Sequence, residues 1–227
     1  MIPSGYTVPA QPPVVRPLWS LAGPALGALL AAGLLTAPIG PLATAIQRDL
    51  GLSIGTVMVF VGAPYAVLAV ALVAPGYLLG RLGPTATGVP ALVLMLLGNA
   101  VSVFAQSTAL ILIGRLLAGA GAGVIVGVAF ALSGQLSRWR TQARLALALA
   151  LGVALLLGPV VSGVLTNVAT WRWAFLAGVP VAAVALAAAA ASGIAMAVLR
   201  ASRPGPLPGP AMTAPFPSQP WPGGPTR

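Results

Sequence analysis

The chain has 227 residues, of which 59% are hydrophobic and only 5% are charged. A soluble domain carries about 25% charged residues, so most of this surface has to face lipid, in agreement with the mean hydropathy of +1.02. The sequence has no cysteine, no histidine and a single acid, Asp49. This excludes thiolate metal sites and leaves almost nothing for general acid–base catalysis. The net charge of +10 comes from eleven arginines scattered among apolar runs, whereas a nucleic-acid surface needs a clustered basic patch. We therefore expect an integral membrane protein that is not an enzyme, uses no cofactor or metal and binds no nucleic acid.

Six apolar runs are long enough to cross a bilayer as helices, which takes about 20 residues each. They are predicted at Leu18–Ile46, Ile54–Leu79, Thr87–Ala105, Leu110–Leu136, Leu145–Val168 and Ala174–Leu199. Only helices and closed barrels satisfy their backbone groups in lipid. Barrel strands alternate polar and apolar residues, which the run Ala183–Ala191 does not. The predicted fold class is an all-α membrane protein with a six-helix transmembrane domain over residues 18–200.

Two proline-rich segments flank this domain. Residues 1–17 hold five prolines and residues 201–227 hold nine. Neither segment can bury enough apolar surface to offset the entropy of ordering it. Both are therefore predicted to be disordered tails.

The distribution of arginines predicts the orientation in the membrane. If both termini lie on one side, the loops of the opposite side carry only Arg48 and Arg172. The segments on the side of the termini carry Arg16, Arg81, Arg138, Arg140, Arg144, Arg200, Arg203 and Arg227. Arginine and lysine accumulate in cytoplasmic loops, so both termini are predicted to be cytoplasmic, in a plasma or inner cell membrane.

Short motifs lie at the ends of the predicted helices. The segment from Gly76 to Gly83, in the predicted loop after the second span, is similar to the signature of the major facilitator superfamily, which has Gly, Asp, Arg and Gly at fixed spacing. Gly76, Arg81 and Gly83 match that signature, whereas Gly80 stands where the family has the Asp. The resemblance therefore holds for the glycines and the arginine and fails for the acid.

Four further fragments extend the resemblance over residues 20–200. Arg115-Leu-Leu-Ala-Gly-Ala-Gly121 is similar to the family's Arg-x-x-x-Gly-x-Gly motif, and Gly158-Pro159-Val-Val-Ser-Gly163 to the antiporter motif of drug-efflux members. Ile46–Ser53 and Trp171–Phe175 resemble the exit of the first helix and the start of the sixth in that branch. The resemblance implies the first six-helix half of a transporter, built as a 3+3 inverted repeat beside a second bundle.

The resemblance also implies which residues lie along the transport pathway. Interruption of the first and fourth helices by glycine and proline marks the pathway in such repeats. The candidates are Thr36, Pro38, Arg115, Gly119, Gly121, Gln135, Gly158 and Pro159, with Gly76, Arg81 and Gly83 as a cytoplasmic-loop motif.

Each candidate has a structural alternative. Gly119 begins a GxxxG step that also suits close helix packing. Arg115 either faces the pathway or extends to the outer interface with its charge in water. Pro159 kinks its helix, either as a hinge or as a fixed bend. Asp49 is expected to pair with the neighbouring Arg48 or to cap the second helix.

Two functions follow from these observations. The first is an efflux-type transporter of small lipophilic solutes, acting with a second six-helix unit that is a copy of this chain or another chain. The second is a truncated or degenerate paralogue that no longer transports and serves as a membrane packing partner or gene fragment. The Gly80 substitution favours the second function, and the intact Arg115 and Gly158-Pro159 motifs favour the first.

Overall fold

A computed structural model describes residues 17–136 and 139–202 of the chain. A 3-10 turn at Leu18–Leu21 is followed by nine α-helices within these ranges. They are α1 (Ala22–Thr36), α2 (Pro41–Leu50), α3 (Ile54–Ala71), α4 (Ala74–Arg81), α5 (Pro84–Val103), α6 (Thr108–Ser133), α7 (Arg140–Val168), α8 (Trp171–Leu176) and α9 (Gly178–Ala201). Apart from residues 17, 201 and 202, the two predicted tails lie outside the described residues, and Ala201 still belongs to α9.

The predicted fold class is confirmed. Six stretches in the described ranges are long and apolar enough to cross a membrane. They are Leu18–Thr36, Ile54–Ala71, Pro84–Val103, Thr108–Ser133, Arg140–Val168 and Trp171–Leu199. Every regular element between residues 17 and 136 and between 139 and 202 is helical.

The first two predicted spans are each divided in two. α1 stops at Thr36, and the chain resumes as α2 at Pro41 after Gly40, whose φ of +98° suits a residue without a side chain. The helix of the second span ends at Ala71, and a separate eight-residue helix, α4, follows at Ala74–Arg81. The Gly76–Gly83 motif was predicted to be a loop, but Gly76 and Arg81 lie on α4, and only Gly83 lies in the turn before α5.

The central helices are α1, α5 and α6, which are each half-buried along their spans, whereas only 11% of the α3 span is buried. α3 packs on α6, while α7 packs on α1, and α9 lies between α1 and α5. As a result, α3 and α7 flank the central pair α1 and α6. Both flanking helices keep large apolar side chains exposed, among them Met58, Val70, Leu149 and Leu156.

Glycines on α6 bring the neighbouring helices to backbone contact. A Cβ atom at Gly119 would lie 2.5 Å from the carbonyl oxygen of Pro64 on α3, and one at Gly121 would lie 2.5 Å from that of Ala91 on α5. Real Cβ atoms do not approach carbonyl oxygens this closely, so only glycine fits at either position. This contact favours the packing role of Gly119, and Gly121 packs in the same way on the other side of α6.

Candidate functional site

Three backbone carbonyl groups at the end of α1 lack the donor that a continuous helix would supply. The amides four residues beyond Leu34 and Ala37 belong to Pro38 and Pro41, which carry no N–H. The Leu35 carbonyl would be bonded by the N–H of residue 39, but this group donates to Thr36 O at 2.9 Å instead. Lipid offers no hydrogen bond, so each of these carbonyls needs a partner within the bundle.

Arg115 on α6 supplies two of the missing donors. Its two terminal nitrogens donate to Leu34 O at 3.0 Å and to Leu35 O at 2.8 Å. The side chain is 0% exposed, and the guanidinium carbon lies 5.6 Å from the ring centroid of Phe60 and 6.0 Å from that of Phe175. The charge therefore stays inside the bundle and does not extend to the interface. It lies against the carbonyl end of α1, where the helix dipole favours a cation.

Tyr65 and Ser162 complete the arrangement from the two flanking helices. The Tyr65 hydroxyl on α3 donates to Leu35 O at 3.0 Å. The Ser162 hydroxyl on α7 donates to Ala37 O at 2.6 Å, and it also lies 3.1 Å from Pro159 O in its own helix. Donors from α3, α6 and α7 thus converge on the interrupted end of α1, which we call the α1 break (residues 34–41).

The contact between α1 and α7 brings two of the predicted pathway residues together. A Cβ atom at Gly158 would collide with the Thr36 hydroxyl and the Gly33 carbonyl. The Thr36 hydroxyl bonds back to Ala32 O at 3.0 Å and Gly33 O at 3.2 Å, so its polar group is satisfied within α1. Thr36 and Gly158 therefore act here as contact residues beside the α1 break, and Pro159 follows directly on α7.

A cleft of about 280 Å³ adjoins this contact between α1, α7 and the α8–α9 region. Its lining is almost entirely apolar, with the Ser162 hydroxyl and the backbone of Ala37 near one another on its wall. A larger cavity of about 730 Å³ opens at the end of the bundle where α5 begins, and it is lined by residues such as Pro24, Thr85 and Gly193. Of the pathway candidates, only Gly158 lines the first cleft, and none of them lines the second.

The remaining candidates lie elsewhere. Gln135 is exposed beyond the end of α6. The motif on α4 lies at the end of the bundle away from the α1 break, and there the Arg81 guanidinium stacks 4.4 Å from the ring centroid of Tyr77. The structure therefore joins Thr36, Pro38, Arg115 and Gly158 in one region and leaves Gln135 and the α4 motif outside it.

Asp49 has partners other than those expected. Its carboxylate accepts a hydrogen bond from the Trp171 indole at 2.8 Å and lies 3.5 Å from the Arg172 guanidinium. The cap of α3 is instead Ser53, whose hydroxyl accepts from the Thr56 amide at 3.2 Å. The acid thus links α2 to α8, which packs against both α2 and α7. Its charged partner is Arg172 and not the neighbouring Arg48.

The fold and the α1 break define a multi-pass helical membrane protein whose first apolar segment is interrupted between α1 and α2. The family model of the Major Facilitator Superfamily matches residues 23–222, and the chain belongs to this family. This confirms the resemblance found in the sequence. It also supports the prediction that the chain is not an enzyme, since the related proteins are named as transporters.

Two curated relatives show how much of the chain is matched. The MFS-type transporter poxA of Penicillium oxalicum is 38% identical over 97 residues, which are 42% of this chain and 17% of that protein. An uncharacterised MFS-type transporter of Mycobacterium tuberculosis is 32% identical over 114 residues, or 49% of this chain and 17% of that protein. The aligned part of the chain thus spans about a sixth of the length of these relatives.

A solved structure of a peptide transporter, POT, in complex with alafosfalin has a similar fold. Its TM-score is 0.66 at 14% identity, and the match covers 77% of this chain and 38% of that one. At this identity the likeness concerns the fold alone.

Proposed function

We propose that this chain is one six-helix half of an efflux-type carrier for small lipophilic solutes. The α1 break is the observation that carries the proposal. Interrupted helices at membrane depth occur in transporters where the backbone lines a substrate or ion site, and here the interruption is held by a buried cation, a phenol and a hydroxyl. A buried arginine is costly in the bilayer, and charges inside membrane proteins mark substrate and ion pathways.

The substrate class is inferred from the surroundings of this site. The cleft beside the α1 break is apolar, and the sequence has no acid other than Asp49, which lies outside the break. Such a lining favours solutes that partition into lipid. Two relatives whose names describe them as an MFS efflux transporter of Aspergillus oryzae and an efflux pump of Penicillium citrinum support an outward direction.

The second half of the carrier is proposed to cover α3 and α7. These helices flank α1 and α6 and have exposed apolar side chains along much of their length. Covering them would enclose the side of the bundle on which the α1 break lies. The second bundle is either a copy of this chain or a separate chain.

The proposed location is a plasma or inner cell membrane with both termini in the cytoplasm, supported by the arginine distribution. Because the chain has no cysteine, single cysteines test this topology cleanly. The exposed positions Gln106, in the turn before α6, and Thr141, in the first turn of α7, lie at opposite ends of the bundle. A membrane-impermeant maleimide should label Gln106→Cys in intact cells and label Thr141→Cys only after permeabilisation, and the reverse pattern would overturn the orientation.

The function itself is tested by dye efflux from cells that express the chain, together with the mass of the purified complex. If the chain transports, a lipophilic fluorescent dye should leave cells that express it faster than it leaves cells that express Arg115→Met. The control Arg48→Gln changes an exposed arginine and should leave the efflux rate unchanged. A homodimer or a stoichiometric complex with another six-helix protein supports the two-bundle form. A lone monomer without efflux would contradict the proposal and favour the non-transporting paralogue.

A further inference from the structure

Two buried side chains in the centre of the bundle each retain one polar atom without a partner. Arg115 is 0% exposed and Asn99 is 2% exposed. The Asn99 amide nitrogen donates to Met95 O at 2.8 Å, but Asn99 Oδ1 and Arg115 Nε have no hydrogen-bond partner among the described residues. An unpaired buried group costs about 1–3 kcal/mol. One of these atoms is an acceptor and the other a donor, so a single small ligand could satisfy both.

The packing of α5 on α6 places the two residues at the same level. A Cβ atom at Gly98 would lie 2.5 Å from the carbonyl oxygen of Gly114. The neighbouring positions Asn99 and Arg115 therefore belong to facing turns of the two helices. With a rise of 1.5 Å per residue, their Cα atoms differ little in height along the bundle.

The apolar clusters on either side agree with this placement. Asn99 lies one turn from Met95, which packs in the same apolar cluster as Leu35. On its other side it lies one turn from Val103, which packs in the cluster of Phe60 and Phe175. Arg115 donates to the Leu35 carbonyl and lies beside both of these rings. Both polar side chains thus occupy the layer between the two apolar clusters.

We propose that Asn99 and Arg115 bind one water molecule between them. The water oxygen accepts from Arg115 Nε–H, and one of its hydrogens is donated to Asn99 Oδ1. We infer a water rather than a larger ligand because both side chains are buried within the bundle. Buried waters typically make about three hydrogen bonds to polar groups that would otherwise be unpaired.

This site makes Asn99 a positioning residue for Arg115. The two terminal nitrogens of the guanidinium are bonded to α1, and a third hydrogen bond at Nε fixes the plane of the group from the α5 side. Asn99 thereby acts on the α1 break without touching it. The inference is independent of the proposed transport function, since it concerns hydration of the bundle in any state that has this packing.

The test uses the full chain in lipid nanodiscs and X-ray pulses that generate hydroxyl radicals from water. The reporters are the rings of Phe60 and Phe175, which are 2% and 0% exposed and lie beside the guanidinium. We expect both rings to be oxidised in the unaltered chain despite their burial. Asn99→Leu should abolish this oxidation. Ser102→Ala, which removes a buried hydroxyl that already donates to Gly98 O one turn away, should leave it unchanged.

A second measurement needs no variant and so does not depend on whether Asn99→Leu folds. The chain is mixed into water enriched in oxygen-18 just before the pulse. Oxygen from a buried water should appear on Phe60 largely as oxygen-16, whereas Trp173, which is 56% exposed, should take up oxygen-18. Rings that remain unoxidised, oxygen-18 on Phe60 at the level of Trp173, or unchanged oxidation in a folded Asn99→Leu variant would each overturn the proposal.

Discussion

The hydroxyl group of Ser162 donates to the carbonyl oxygen of Ala37 at 2.6 Å, joining two helices across 125 positions of the chain. The bond follows from a proline, because Pro41 lacks the N–H that would reach this carbonyl in a continuous helix. The same logic applies to Leu34, whose missing donor is Pro38 and whose actual donor is Arg115. The carbonyls that are left unpaired where the first span breaks thus accept hydrogen bonds from polar side chains of the surrounding helices.

Removing the Ser162 hydroxyl should therefore destabilise the bundle. Ser162→Ala leaves the Ala37 carbonyl without a donor in a site that is 2% exposed. Hydrogen bonds between membrane helices contribute about 0.6 kcal/mol on average and at most about 1.7, and we expect the upper part of this range because the carbonyl has no other donor. The free energy of unfolding in mixed micelles with increasing denaturing detergent measures the change.

Ser192→Ala is the matched control for that substitution. The Ser192 hydroxyl bonds only to Ala189 O within α9, at 2.9 Å, so its loss should leave the unfolding free energy almost unchanged. Equal effects of the two substitutions would show that the bond to Ala37 contributes no special stability.

Arg115 should be replaceable by neither a neutral nor a compact cationic side chain. Arg115→Met fills a similar space but leaves the Leu34 carbonyl unpaired, while Leu35 retains Tyr65. We expect a loss of about 2 kcal/mol in unfolding free energy, within the range for an unsatisfied buried group. Arg115→Lys keeps the charge but cannot span both carbonyls with a planar fork.

The order of stability separates these two causes. If both the charge and the paired geometry contribute, the unaltered chain should be the most stable protein, Arg115→Lys less stable and Arg115→Met the least stable. Thermal denaturation in detergent can rank the three proteins. If Arg115→Lys is as stable as the unaltered chain, the bidentate geometry is unimportant. The exposed Arg48→Gln serves as control for the loss of one positive charge.

The helical type and the number of spans were predictable from the sequence because apolar length is set by the bilayer. The ends of the first two spans were not. The apolar pattern continues through Pro38 and through Leu72, whereas the helices α1 and α3 end at Thr36 and Ala71. Proline signals a break, but whether a helix merely bends or ends depends on whether neighbouring helices can satisfy the freed carbonyls, and this is a property of the packed bundle.

The candidate site was predictable in its residues and not in their roles. Charge singles out Arg115 and the Gly-Pro motif singles out Gly158, and both lie beside the α1 break. Ser162 lies within the same motif, but nothing in the motif distinguishes it as a donor. The position of Pro41 predicts that the Ala37 carbonyl has no partner within its own helix. It does not indicate that the donor comes from Ser162 rather than from a residue of another span.

Pro38→Ala should let α1 continue past its present end. The substitution restores an N–H at position 38, which can then bond to the Leu34 carbonyl now held by Arg115. We expect the amide introduced at position 38 to be protected from hydrogen exchange. Pro84→Ala is the control, because Pro84 is the first residue of α5 after the turn at Gly83, where an N–H has no intrahelical acceptor. If position 38 exchanges as rapidly as position 84 in the control, Arg115 holds the carbonyl more strongly than the restored helix bond.

A single methyl group should have opposite effects at two glycines of α7. At Gly158 the added Cβ collides with Thr36 and Gly33, so Gly158→Ala should push α7 away from α1 and lower stability by about 1–3 kcal/mol, as overpacking typically does. At Gly152 nothing lies within 4 Å of the added atom. Gly152→Ala should therefore stabilise the helix or leave it unchanged, because alanine restricts the unfolded chain more than glycine does. Both variants are compared by unfolding free energy and by the rate of disulfide formation between cysteines placed in α1 and α7. A destabilising Gly152→Ala together with a neutral Gly158→Ala would contradict the close contact of the two helices at Thr36.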